Sequence, residues 1–131
     1  PWVDIGTGGG FPGFVVGLLR PEPMLLVEPR RRRADFLHAC AARLGLGHVG
    51  VAASKVETVE WPASVISARA VAPVEKLLQI ARGCATTGTR WLLPRGRSAL
   101  ADLAELRRSW RGVFHVEQSL TNPESSILVL D

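Results

Sequence analysis

The stretch Val3-Asp4-Ile5-Gly6-Thr7-Gly8-Gly9-Gly10-Phe11-Pro12-Gly13 decides how this chain reads. An apolar run from Trp2 to Ile5 has the look of a buried strand. It passes through glycines to Pro12, which suits a first helical turn because its missing N–H costs nothing there. Strand, glycine loop and helix in that order form a setting in which backbone amides meet a ligand. Glycines permit positive φ and let a ligand approach the main chain. In open α/β sheets such ligands lie outside the carboxyl ends of the strands. A P-loop is excluded, because Phe14-Val15 stands where Lys and Ser or Thr are required. The dinucleotide pattern G-x-G-x-x-G fails at Phe11. What remains is G-x-G-x-G, from Gly6, Gly8 and Gly10, a spacing typical of S-adenosylmethionine sites.

Working outward, Met24 to Glu28 forms a second strand that ends in a carboxylate, 22 positions after Gly6. A carboxylate at that place can accept both hydroxyls of an adenosine ribose. Arg31 to Leu44 reads as a helix with Phe36, Leu37, Cys40, Ala41 and Leu44 on one face, stopped by Gly45. Strands follow at His48–Ala52, Val65–Ser67 and Trp91–Leu93. Helices follow from Pro73 through Ile80 and along Leu100, Leu103, Leu106 and Trp110. Val113–Gln118 and Ile127–Leu130 close the chain, joined by a turn at Asn122-Pro123. Alternating strands and helices predict an α/β fold, a doubly wound, mostly parallel seven-stranded sheet. The last two strands lack a helix between them and predict an antiparallel hairpin, set against the rest of the sheet.

Composition bounds the alternatives. Of 131 residues, 47% are hydrophobic and 21% charged, so a packed core is affordable and disorder is disfavoured. Cys40 and Cys84 are too few for a disulfide framework or a four-cysteine zinc site, which fits free thiols in a reducing cytoplasm. Both read as core residues. No apolar run approaches the ~20 residues that cross a bilayer. The net charge is +4, and Lys55 and Lys76 are the only lysines beside the arginines. Arginine suits phosphate recognition because its planar fork donates two parallel bonds, although a GC-rich genome also favours it. Arg30 to Arg33 open a helix, where positive charge opposes the macrodipole. That placement points equally to phosphate contact and to a solvated face. The chain begins at Pro1 rather than Met, and upstream residues are expected.

Several of these segments occur together in one known family. Gly6 to Gly13 with its G-F-P-G ending, Leu26-Val27-Glu28, Phe36-Leu37, Lys55-Val56-Glu57 and Ala68-Arg69-Ala70 stand in the order found there. The sequence resembles the RsmG (GidB) family, bacterial methyltransferases of small-subunit ribosomal RNA. The resemblance implies that residues 1–131 are an S-adenosylmethionine-dependent methyltransferase core lacking the family's helical N-terminal segment. It implies methylation of guanine N7 in 16S rRNA. It places Gly6, Gly8, Gly10 and Phe11 of the loop against the cofactor, Glu28 at its ribose, Val56 and Glu57 at its adenine end, and Arg69 at its methionine end beside the target base. Arg69 is the candidate catalytic residue. Arg31, Arg32, Arg33 and Arg95 are the candidate RNA contacts, with 16S rRNA or the small ribosomal subunit as partner. A monomer in the cytoplasm, with no membrane contact and no metal, completes the expectation.

The chemistry asks little of acids and bases. Guanine N7 has a free lone pair and no proton to lose, so alignment matters more than a general base. His38, His48 and His115 are therefore read as packing or surface residues. Three other functions remain open on the residues alone. A small-molecule methyltransferase would ignore rRNA. A nicotinamide dehydrogenase would bind NAD. A non-catalytic RNA-binding remnant would keep the fold and lose turnover, against which the joint presence of Gly6, Glu28 and Arg69 argues.

Overall fold

Alternation along each strand sends side chains to two faces, and both faces of this sheet are covered. The structure is a computed structural model that describes residues 1–69, 71–97 and 99–131. Seven strands are present: β1 (Trp2–Ile5), β2 (Met24–Val27), β3 (Val49–Ala52), β4 (Val65–Ala68), β5 (Arg90–Arg95), β6 (Phe114–Gln118) and β7 (Ser126–Leu130). Four helices join them: α1 (Gly13–Leu19), α2 (Arg31–Arg43), α3 (Val74–Ile80) and α4 (Ala99–Ser109). The strand order is β3-β2-β1-β4-β5-β7-β6.

One face packs Phe14 of α1 and Leu37 and Ala41 of α2 on Met24, Leu26 and Val49. The other packs Val74 and Leu77 of α3 and Leu106 of α4 on Val3, Ile5, Ile66, Leu93, Leu128 and Leu130. Each fully buried Leu or Ile contributes about 1.5–3 kcal/mol through the surface it removes from water. The order reverses between β1 and β4. The connection from β1 leads toward β2 and that from β4 toward β5, so two loops diverge above neighbouring strand ends. That divergence creates the crevice of a doubly wound sheet. The loop at Gly6 and the segment that starts at Arg69 leave from these neighbouring strand ends.

The predicted elements are all present, with two corrections. The closing hairpin does not run against the sheet as a unit. β7 alone is antiparallel to β5, and β6 pairs antiparallel with β7, so β6 regains the common direction. The second correction concerns α2. Its inward row is Ala34, Leu37 and Ala41, while Phe36 is 56% exposed and Leu44 is 51% exposed. Two neighbouring rows, 37–41 and 36–40–44, are each apolar. Only one can point straight at a sheet, and the other is left at the rim, with Cys40 half-buried. Cys84 is buried as expected.

Candidate active site

Gly6 leaves β1 with φ +62°, and its N–H and that of Thr7 both donate to the Val27 carbonyl at 2.9 and 3.2 Å. The loop then turns on itself, with Gly10 and Phe11 donating to the Thr7 carbonyl. Gly10 has φ +100°, and a Cβ there would enter the ring of Phe14 and crowd Leu37. A side chain at Gly6 would meet a methyl of Val71 at 2.7 Å. These two glycines are required by both dihedral and space. The Phe11–Pro12 peptide is cis, and Phe11 itself is exposed.

Glu28 stands directly beyond β2 and is only 3% exposed. One carboxylate oxygen accepts the Gly8 N–H at 3.1 Å, and the other accepts the Arg30 N–H at 3.1 Å. The side chain thus ties the glycine loop to the end of the neighbouring strand. Each oxygen keeps a further lone pair for a ligand hydroxyl.

A cleft of 230 Å³ opens beside the loop, lined by Ile5, Gly6, Val27, Pro29, Lys55, Val56, Glu57, Val71 and Ile80. Gly6, Val56 and Glu57 share this lining. Val56 is buried and Glu57 is exposed, on a short 3-10 turn after β3. Glu28, Gly8, Gly10, Phe11 and Arg69 stand outside its lining. Arg69 follows the last residue of β4, exposed to solvent. Among the described residues its guanidinium makes no hydrogen bond or ion pair, although its charge reaches Asp4.

Arg31, Arg32 and Arg33 are exposed on the first turn of α2, and Arg31 pairs with Asp35 at 3.5 Å. Arg95 departs from expectation. Its side chain is 9% exposed, faces Asp102 at 3.7 Å and donates to the Ala72 carbonyl at 3.0 Å. It offers little surface to RNA, because it is turned in toward Asp102 of α4 and the Ala72 carbonyl. A larger cleft, of 440 Å³, lies at the opposite, amino-terminal ends of the central strands, around Pro1, Trp2, Arg20 and Arg90. It is remote from the glycine loop. His48 bonds the Gly17 carbonyl at 2.8 Å and His115 faces Glu117 at 3.0 Å, both packing or surface roles.

Asp4 is the participant that periodicity alone did not disclose. It is fully buried in β1 and lies opposite Ser67 of β4 in register. The Ser67 hydroxyl donates to one carboxylate oxygen at 2.7 Å, and the Gly13 N–H donates to the other at 3.0 Å. Trp2 Nε1 in turn donates to Ser67 Oγ at 2.9 Å. Asp4 therefore couples β1, β4 and the start of α1 beneath the loop. A carboxylate inside a four-residue apolar strand was the available signal, since a buried charge needs donors.

Burial raises the Asp4 carboxyl above its ordinary value, and the donors from Ser67 and Gly13 and the Arg69 charge oppose the rise only partly. An acid with a raised folded-state value holds more protons folded than unfolded. Its contribution to stability therefore falls as pH climbs from the ordinary carboxylate value to the raised one. Asp4→Asn removes that slope. Urea melts of both proteins across that interval should show wild type losing ground to the variant with rising pH. A constant difference would mean that Asp4 titrates normally.

Among the described residues, no group of three His, Cys, Asp or Glu side chains is placed to hold a metal ion. Nor is any helix long and apolar enough to cross a membrane.

Comparison with known proteins agrees with the geometry. The chain is 54% identical over 129 residues to the ribosomal RNA small subunit methyltransferase G of Sphingopyxis alaskensis, covering 98% of this chain and 55% of that protein. It is 48% identical over 130 residues to the same-named protein of Erythrobacter litoralis, covering 98% and 63%. The chain thus spans little more than half the length of these curated relatives. Among solved structures, an rRNA methylase from Streptococcus thermophilus superposes with TM-score 0.72 at 14% identity, over 99% of this chain and 84% of that one. A Streptococcus mutans protein solved in complex with SAH gives TM-score 0.70 at 10% identity, over 98% and 86%. These two likenesses establish the methyltransferase fold. The family model for rRNA small subunit methyltransferase G matches residues 1–126, and the chain belongs to that family.

Proposed function

We propose that this chain is the cofactor-binding core of an enzyme that transfers a methyl group from S-adenosylmethionine to guanine N7 of 16S rRNA. The observation that carries the reading is the loop from Gly6 to Gly10, with its positive φ angles, bridged to the Glu28 carboxylate at the switch point of the sheet. A Cβ at Gly10 would strike buried Phe14 and Leu37, so only glycine lets the loop hold this shape, and the Glu28 carboxylate retains lone pairs for ribose. These residues fit S-adenosylmethionine. The identity to relatives named as rRNA methyltransferases supports the RNA substrate. We place the protein in the cytoplasm as a monomer acting on the small ribosomal subunit or its RNA.

When bound, S-adenosylmethionine supplies an electrophilic methyl group on a sulfonium. Glu28 accepts the ribose hydroxyls, and Gly6 and Gly8 allow the main chain to lie against the nucleoside. Val56 and Glu57 hold the adenine end in the cleft. Phe11 and Arg69 flank the crevice where guanine enters. No residue removes a proton, because N7 carries none. Holding nucleophile, methyl and sulfur in line can supply ~7–11 kcal/mol of the barrier. Arg31, Arg32 and Arg33 supply phosphate contacts, which predicts affinity for RNA that falls with salt.

S-adenosylmethionine or S-adenosylhomocysteine should raise the melting temperature, and NAD should not. A ligand at a hundred times its Kd stabilises the native state by about 2.7 kcal/mol. A shift with NAD alone would overturn the methyltransferase reading in favour of a dehydrogenase. Tritiated methyl transfer to small-subunit RNA by the full-length protein then tests the substrate. Label on a small molecule, with none on RNA, would favour the small-molecule enzyme.

A further inference from the structure

The segment that follows β4 carries Arg69 at its start and Val71 over the glycine loop. Val71 lines the cleft, and one of its methyls lies 2.7 Å from the position a Gly6 Cβ would take. The next residue, Ala72, gives its carbonyl to Arg95 Nη2 at 3.0 Å. Arg95 ends β5, and its Nε faces Asp102 Oδ2 in the first turn of α4 at 3.7 Å. Both side chains are largely buried, at 9% and 13% exposure. Among the described residues neither Nε nor Oδ2 has a hydrogen-bond partner.

Two charges withdrawn from water at such a separation repay little of their desolvation, so this pair is poorly explained as a source of stability. Its geometry has another use. The guanidinium is a rigid fork, one arm on the main chain of the β4 segment and its Nε turned to the helix. We infer that Asp102 and Arg95 are positioning residues that hold the Val71–Ala72 segment down on Gly6 and so set the width of the cofactor cleft. This deepens the methyltransferase reading and rests on it for the ligand, though not for the clamp. Asp102 orients Arg95, Arg95 holds the Ala72 carbonyl, and Val71 closes on the loop. A lysine at position 95 offers a point charge that can meet the carboxylate or the carbonyl, but lacks the fork that spans both.

The test uses the full-length protein with methyl-labelled valine, leucine and isoleucine, first without cofactor. Wild type should show a nuclear Overhauser contact between a Val71 methyl and the Gly6 α-protons. Asp102→Asn should weaken or abolish it while the contacts among Val3, Ile66 and Leu93 persist. In calorimetry the same variant should bind S-adenosylhomocysteine about tenfold more weakly, the scale of releasing the Arg95 bond to the Ala72 carbonyl. Arg95→Lys should do the same to a smaller degree, and it decides the matter if Asp102→Asn does not fold. An unchanged Val71–Gly6 contact, or a lost contact with unchanged affinity, overturns the inference. So does an Arg95→Lys protein that keeps both and loses only RNA affinity, since Arg95 would then be an RNA contact. Failure of wild type to bind S-adenosylhomocysteine would instead reject the methyltransferase reading, while the nuclear Overhauser contact alone still decides the clamp.

Discussion

Arg69→Ala in the full-length protein should lower kcat/KM for methyl transfer by about 10²-fold, the penalty of a reactant misplaced by roughly 1 Å. The residue stands at the switch point, one position past β4, with its guanidinium exposed and its charge felt by buried Asp4. A fork in that place can bind the cofactor carboxylate, or a phosphate flanking the target guanine, through two parallel bonds. Stabilising the ring itself is unsuited to a cation, because guanine becomes positive as N7 is methylated. The expected loss is therefore one of placement, and Arg69→Lys should restore it only in part. Circular dichroism should be unchanged, since an exposed side chain with no described partner supports no packing. Wild-type turnover in Arg69→Ala would reduce the residue to surface charge.

Glu28→Ala should weaken binding of S-adenosylhomocysteine by the value of a charge-assisted bond, about 1.5–3 kcal/mol, measured by calorimetry. Two things are lost at once: an acceptor for ribose, and the ties to the Gly8 and Arg30 amides. Glu28→Gln keeps the shape but not both ties. Its amide oxygen can accept one of the two N–H groups, and its NH₂ then faces the other donor. That variant should fall near Ala despite its shape. Glu22 serves as the control, because its carboxylate is exposed and pairs with Arg20 beyond the amino-terminal ends of the strands. Equal affinities for Glu28→Ala and Glu22→Ala would remove Glu28 from the site.

What could be read from the chain was local. The glycine loop, the carboxylate after β2 and the strand-helix alternation each lie within a few neighbouring residues, and each is present. Contacts that join distant residues were hidden. Asp4 meets Ser67 only through the register of β1 on β4. Arg95 looked like surface charge because nothing in its own neighbourhood announces the turn inward to Asp102 of α4. The α2 face was misjudged because two adjacent rows were apolar and the sequence does not say which points inward. The order of the last two strands is signalled by their composition. Ser126–Leu130 is apolar on both faces, as an interior strand must be, whereas Phe114–Gln118 carries His, Glu and Gln and suits an edge.

The insertion of β7 between β5 and β6 also orders events at synthesis. Chains emerge from the N-terminus at roughly 5–20 residues per second and begin to fold as they appear. β6 leaves the ribosome first yet has no seat of its own, because its sole neighbour is β7. The growing polypeptide must carry Phe114–Gln118 as an unpaired ribbon until Ser126–Leu130 has docked on β5. Chaperone dependence of a tethered nascent chain that has emerged as far as Ser125 should accordingly exceed that of one emerged only to Gly112.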